Sequence, residues 1–192
     1  MPLVVDEVQT GGGRTGTWFA FERYDIEPDV VVASKALSGM GLPVAVILYH
    51  RRLDVWTPGA HTGTFRGNQA AFAAGAETVR IMRRDNVLAN VRRRGEQLAR
   101  LLEVLRDRPW VREVRGIGLM WGIELSSPHD GRPAGGYARA VRAHALRNGL
   151  ILELGGRDDA VVRLLPPLNV TADVVETASR ILVEAFDHCA PE

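Results

Sequence analysis

The sequence predicts an α/β fold in two parts, a β-rich α/β part followed by a smaller α+β unit. Three observations lead there. Short apolar runs alternate with glycine-rich turns over the first third of the chain, the hydrophobic period turns helical at Asn68, and strand and helix patterns alternate again beyond residue 110. "PLVV", "PDVVVAS" and "LPVAVILY" each have the length and the valine and isoleucine content of a buried strand. From Asn68, a plausible N-cap, "NQAAFAAGAETVRIMRR" is alanine-rich and helical. A second helix follows Asp85, with Val87, Leu88, Val91, Leu98, Leu101, Leu102 and Leu105 on one face, and should stop before Pro109. "VREVRGIGLMWGIEL" reads as a hairpin around Gly116 and Gly118, and "YARAVRAHALRNG" as a helix closed by Gly149. "LILEL" and "AVVRLL" read as strands, and a last helix starts near Thr171. The expected division is 1–84, ending in a linking helix, and 85–192.

Composition narrows the function. The 192 residues are 46% hydrophobic, enough for a real core. The 24 basic and 23 acidic side chains leave a formal charge of +1, so no net field favours nucleic acid or an anionic membrane. The arginine run at 92–94 reads as the solvated face of the leucine-rich helix. The single cysteine, Cys189, excludes an internal disulfide framework and is compatible with a reducing compartment. The longest apolar stretch, 42–49, is too short to span a bilayer, and the expectation is a soluble, cytoplasmic protein. His50, His129 and His144 show no metal-ligand spacing, so no metal is expected; His61 reads as structural.

The stretch "VVDEVQTGGGRTG" places Gly11, Gly13 and Gly16 in the register of a dinucleotide-binding loop. Its context argues otherwise. Five residues separate the apolar run from Gly11, no helical face follows Gly16, and the next apolar run ends in Lys35 where a ribose-binding acid belongs. The glycines therefore read as a turn. Asp6 and Lys35 each follow an apolar strand, and in parallel sheets the C-terminal strand ends line the ligand crevice. Taken singly, Asp6 is a turn residue and Lys35 a solvated loop lysine. Taken together, a desolvated lysine amine can form a Schiff base, and an aspartate suits pyridoxal phosphate, whose pyridine nitrogen must stay protonated.

In their order and spacing, "DEVQTGGGRTG", "PDVVVASKALSGMGLPVAV", "HTGTFRGNQAA" and "RLLPPL" resemble class III pyridoxal-phosphate aminotransferases of fold type I, over essentially the whole chain. "LSGMGLPVAVILYH" and "PGAHTGTFRGNQ" look most like the diaminobutyrate:2-oxoglutarate aminotransferases of that family. The resemblance implies a partial large-domain sheet plus a small α+β C-terminal domain. It implies that Asp6 pairs with the pyridinium nitrogen, Val8 packs on the ring and Gln9 bonds the phenolic oxygen. Lys35 would hold the cofactor and shuttle a proton, and Thr64 would take the phosphate across a dimer interface with Gly63 allowing close approach. Arg163 would grip the substrate α-carboxylate. The substrates implied are a diamino acid such as 2,4-diaminobutyrate and a 2-oxo acid such as 2-oxoglutarate.

The chain starts at the strand that delivers Asp6, with nothing earlier to cover that strand's faces. The expectation is a C-terminal half, inactive alone, that works as a homodimer or with a partner supplying the N-terminal half. The alternatives are a non-catalytic remnant or subunit acting through a partner chain, and a nucleotide-binding protein.

Overall fold

The computed structural model describes residues 1–191. The chain divides into two compact units, Met1–Ala89 and Asn90–Glu192.

The first unit holds a three-stranded sheet in the order β1-β2-β3, formed by Val4–Asp6, Val30–Ala33 and Val46–Tyr49. β1 and β2 run parallel, with Val4 opposite Val30 and Asp6 opposite Val32. β3 runs antiparallel to β2, with Ala33 opposite Val46. Between them lies one 3-10 turn, Lys35–Ser38, and no helix that could carry the chain back for a parallel return. β2 is the buried strand, Val31 and Ala33 being 7% and 1% exposed. β1 and β3 both depart from the buried strands their composition predicts: Val4 is exposed in β1, and Ile47, Leu48 and Tyr49 are all exposed in β3. An apolar run fixes the extended conformation, and what covers it depends on tertiary partners. Helix α1 is Gln69–Arg84, and the Asn68 side chain caps it by accepting from the Ala71 N–H at 3.1 Å.

The glycine stretch after β1 folds into a closed turn. The Gly11 N–H donates to the Glu7 carbonyl at 2.9 Å, and the Gly16 N–H to the Gly13 carbonyl at 3.0 Å. No α-helix opens at Gly16; the next helical residues form a 3-10 turn at Ala20–Arg23. Gly12 sits at φ 68°, and a Cβ there would lie 2.8 Å from the Ala36 Cβ. A side chain is thus barred twice, by backbone conformation and by contact. The turn that follows Asp6 packs directly against the turn that begins at Lys35.

The second unit holds an antiparallel sheet in the order β4-β5-β7-β6, formed by Val111–Ile117, Met120–Leu125, Val161–Leu164 and Glu153–Gly155 respectively. Alternation sends Trp121, Ile123, Leu125 and Val162 into the core and leaves Glu124, Glu153 and Arg163 on the other face. Helix α2, Val87–Leu102, spans the boundary between the units and contributes Val91, Leu98 and Leu102 to the core. Helices α3, Gly135–Arg147, and α4, Ala172–Cys189, complete the unit. α3 ends in a Schellman motif, with Gly149 at φ 87°, its N–H on the Leu146 carbonyl at 3.1 Å and the Leu150 N–H on the Ala145 carbonyl at 2.9 Å. The hairpin turns at Gly118 and Leu119 alone. Gly116 stays within β4 opposite Trp121, whose indole lies across it and donates to the Gly118 carbonyl at 2.9 Å.

Two outcomes follow from this packing. Gly12→Ala is expected to destabilise the first unit by about 1–3 kcal/mol, read as a lower urea midpoint. In the second unit, Tyr137 of α3 donates to the Phe186 carbonyl of α4 at 2.8 Å, and burial pushes its hydroxyl up to about 12. An unfolded tyrosine ionises near pH ~10, so this stabilising effect is full below about pH 10 and is lost as pH rises through about 12. In thermal melts, Tyr137→Phe should lose less stability over that alkaline window than the parent chain.

Candidate active site

β1 ends in Asp6, and Glu7 follows it; alternation separates the two acids. Asp6 is exposed, and its Oδ1 accepts from the Val8 N–H at 2.9 Å, which turns the chain and fixes the carboxylate. Glu7 points the other way and is 3% exposed. Its Oε1 accepts from the Phe21 N–H at 2.9 Å and its Oε2 from the Thr10 hydroxyl. Glu7 therefore organises the loop, leaving Asp6 as the acid on the accessible face. Val8 and Gln9 follow, half-buried. Nearby in the glycine turn, burial lowers the Arg14 guanidinium from its ordinary value.

Lys35 begins the 3-10 turn after β2 and sits at φ 45°, a left-handed conformation that costs a side-chain-bearing residue free energy. Ser34, just before it, donates its hydroxyl to the Val44 carbonyl at 2.7 Å, tying the turn to the approach to β3. Parallel pairing puts the C-terminal ends of β1 and β2 side by side, so Asp6, Val8, Gln9 and Lys35 gather at one edge of the sheet. Lys35 itself is exposed in this chain, not desolvated as its place after a buried strand leads one to expect.

Gly63 and Thr64 lie in the exposed segment between β3 and α1. A cavity of about 920 Å³ lies between this segment and β3, with Ser34 and Ile47 on one wall and His61, Phe65 and Arg66 on another; Asp6, Gln9, Lys35 and Thr64 do not line it. Arg163 belongs to the second unit. On β7 it stands opposite Glu153 of β6 and Gly122 of β5, and its Nη1 lies 3.7 Å from the Glu153 carboxylate. Gly155, two residues along β6, leaves room for its stem, since a Cβ there would come within 2.9 Å of the Arg163 Cδ. Among the described residues, no group of three or more His, Cys, Asp or Glu could hold a metal ion, and no helix is long and apolar enough to cross a membrane.

Two signals escape a motif-based reading. Glu7 could have been separated from Asp6 by strand alternation alone. More telling is a count: Lys35 is the only lysine in the sequence, and all the other members of the 24 lysines and arginines are arginine. Arginine serves equally well for solvated charge, but it cannot lose its proton at accessible pH, so a lone lysine marks a place where a deprotonable amine matters.

The chain is similar to known proteins over nearly its whole length. The family described as "Aminotransferase class-III" matches residues 1–186. The chain is 46% identical over 195 residues to the diaminobutyrate–2-oxoglutarate aminotransferase of Rhizobium meliloti (strain 1021), covering 97% of this chain and 41% of that protein. It is 43% identical over 182 residues to the enzyme of the same name from Haemophilus influenzae, covering 91% of this chain and 40% of the relative. Among solved structures, a Bacillus anthracis aminotransferase superposes with a TM-score of 0.89 at 27% identity, over 97% of this chain and 45% of that one. The chain thus spans about two fifths of the length of the curated relatives it matches. Its fold is that of part of the transaminase architecture. The chain belongs to the class-III aminotransferase family.

Proposed function

We propose that this chain supplies the lysine-bearing part of a pyridoxal-phosphate-dependent aminotransferase that moves an amino group from a diamino acid, such as 2,4-diaminobutyrate, to a 2-oxo acid such as 2-oxoglutarate. The observation that carries this reading is the placement of the sole lysine, in a left-handed backbone conformation, at the same sheet edge as Asp6. Strained backbone of this kind collects at functional sites. The names of the relatives support the choice of substrates.

The donor set suits the cofactor of this family, pyridoxal 5'-phosphate: a carboxylate, a carboxamide, one primary amine and a hydroxyl beside a glycine. When bound, that group supplies an electron sink that acidifies the C–H bond beside the substrate amine. Asp6, its carboxylate oriented by the Val8 N–H, would keep the pyridine nitrogen protonated. Val8 would pack on the ring face and Gln9 would bond the phenolic oxygen. Lys35 would hold the cofactor through its amine and, when not so engaged, would take and return the proton of the substrate C–H bond. Gly63 and Thr64 would serve the cofactor phosphate across a dimer interface, in the site of a second copy. Arg163 offers a planar fork to the substrate carboxylate, and Glu153 neutralises it until then.

The catalytic unit is larger than this chain in the same reading. Val55 and Phe65 are 83% and 94% exposed, and Trp56 and Phe72 are exposed beside them. Such apolar surface calls for a partner, either a second copy or a chain that supplies the remaining length of the relatives. A subunit acting only by association would bury the same surface and leave Lys35 unmodified.

Arg163→Ala in the complete protein is expected to weaken both the amino donor and the 2-oxo acid by about 10- to 150-fold, because the two half-reactions share the carboxylate site. Unchanged kinetics for both would remove Arg163 from it. The 192-residue chain by itself should bind pyridoxal phosphate weakly and show no turnover of diaminobutyrate with 2-oxoglutarate. A stoichiometric complex with turnover would show the additional length to be dispensable.

A further inference from the structure

The segment between β3 and α1 is exposed throughout residues 54–68, yet part of it is closed on itself. Arg66 Nη1 donates to the His61 carbonyl at 2.5 Å, and Nη2 lies 3.0 Å from His61 Nδ1. The Arg66 N–H also donates to the Gly63 carbonyl at 3.1 Å. Gly63 passes against the guanidinium: a Cβ there would lie 3.0 Å from Arg66 Nε and 3.3 Å from its Cδ. The His61 ring rests on Trp56, with centroids 5.3 Å apart. Residues 61–66 are thus a ring of backbone stapled by one side chain, and Gly63 and Thr64 are members of that ring.

The staple is also a charge. Its hydrogen bonds go to a carbonyl and an imidazole, both neutral acceptors, and no carboxylate pairs with Arg66 among the described residues. Elsewhere arginines pair with acids, as Arg80 does with Glu77 and Arg106 with Glu103. An uncompensated guanidinium held in a turn is suited to a dianion, for which its fixed fork is pre-organised. It also gives Gly63 a reason that needs no ligand, since a side chain there would displace Arg66.

We infer that Arg66 is a positioning residue for cofactor phosphate: it fixes the turn that carries Gly63 and Thr64 and supplies that turn's positive charge. This rests on the proposed reading in which Gly63 and Thr64 serve the cofactor phosphate across a dimer interface. Arg66 acts on the phosphate and not on the ring, so it discriminates pyridoxal phosphate from pyridoxal, which lacks only that group.

The test measures dissociation constants of pyridoxal phosphate and pyridoxal, by absorption titration, for the complete protein and for Arg66→Gln, Arg66→Lys and Thr64→Ala. Arg66→Gln is expected to raise the Kd of pyridoxal phosphate about tenfold or more while leaving that of pyridoxal unchanged. Arg66→Lys, which keeps the charge without the fork, should recover only part of the loss. Equal weakening of both compounds, no change in either, or full recovery with lysine would overturn the inference. Thr64→Ala separates it from the reading beneath. If Thr64→Ala lowers the preference for the phosphorylated compound and Arg66→Gln does not, the inference alone fails. If Thr64→Ala leaves that preference intact, the phosphate assignment of the turn fails.

Discussion

The parallel pairing of β1 with β2 is the constraint on which the rest of the first unit depends. It sets Asp6 opposite Val32, and so brings the residues that follow both strands to one edge of the sheet. Two further contacts lock the arrangement. Gly12 lets the turn after β1 rest on Ala36, one residue beyond Lys35, and Glu7 gathers Thr10 and Phe21 behind that turn. A shift of one residue in the β1 register would exchange Asp6 for Glu7 on the accessible face and bury Asp6 in place of Glu7, without the Thr10 and Phe21 hydrogen bonds that now satisfy the buried carboxylate.

Charge is used in two ways along the chain. Arginine serves the ion pairs of the surface, which individually stabilise little, as between Arg115 and Glu113 or Arg180 and Glu184. Three positions stand apart. Lys35 is the one lysine, Arg66 is held on a carbonyl and an imidazole, and Arg163 lies 3.7 Å from Glu153 on a sheet where Gly155 leaves room for its stem. These are the residues to which the proposed chemistry assigns an aldehyde, a phosphate and a carboxylate.

Much of this was legible in the sequence where the signal is local. The Asn68 cap, the Gly149 helix end and the glycine turn each follow from side-chain chemistry within a few residues. Strand identity was legible too, but the direction and exposure of β3 were not, because an apolar run reads the same in a parallel or an antiparallel pair. Gly116 and Gly118 looked alike as turn residues; only the Trp121 indole packed on Gly116 tells them apart. The Arg163 motif was readable, whereas its partner Glu153 depends on the register of β6 against β7, which nothing in either segment specifies. The Arg66 staple was equally hidden, since an arginine in a polar loop gives no sign of which carbonyl it will reach.

The central claim is that Lys35 is the amine that takes the cofactor. Borohydride reduction of the complete protein loaded with pyridoxal phosphate, followed by peptide mapping, tests it most directly. The account predicts one pyridoxyl group, on the peptide that contains Lys35, the only lysine this chain offers. A label on a lysine elsewhere in the complete protein, with the Lys35 peptide unmodified, would contradict it.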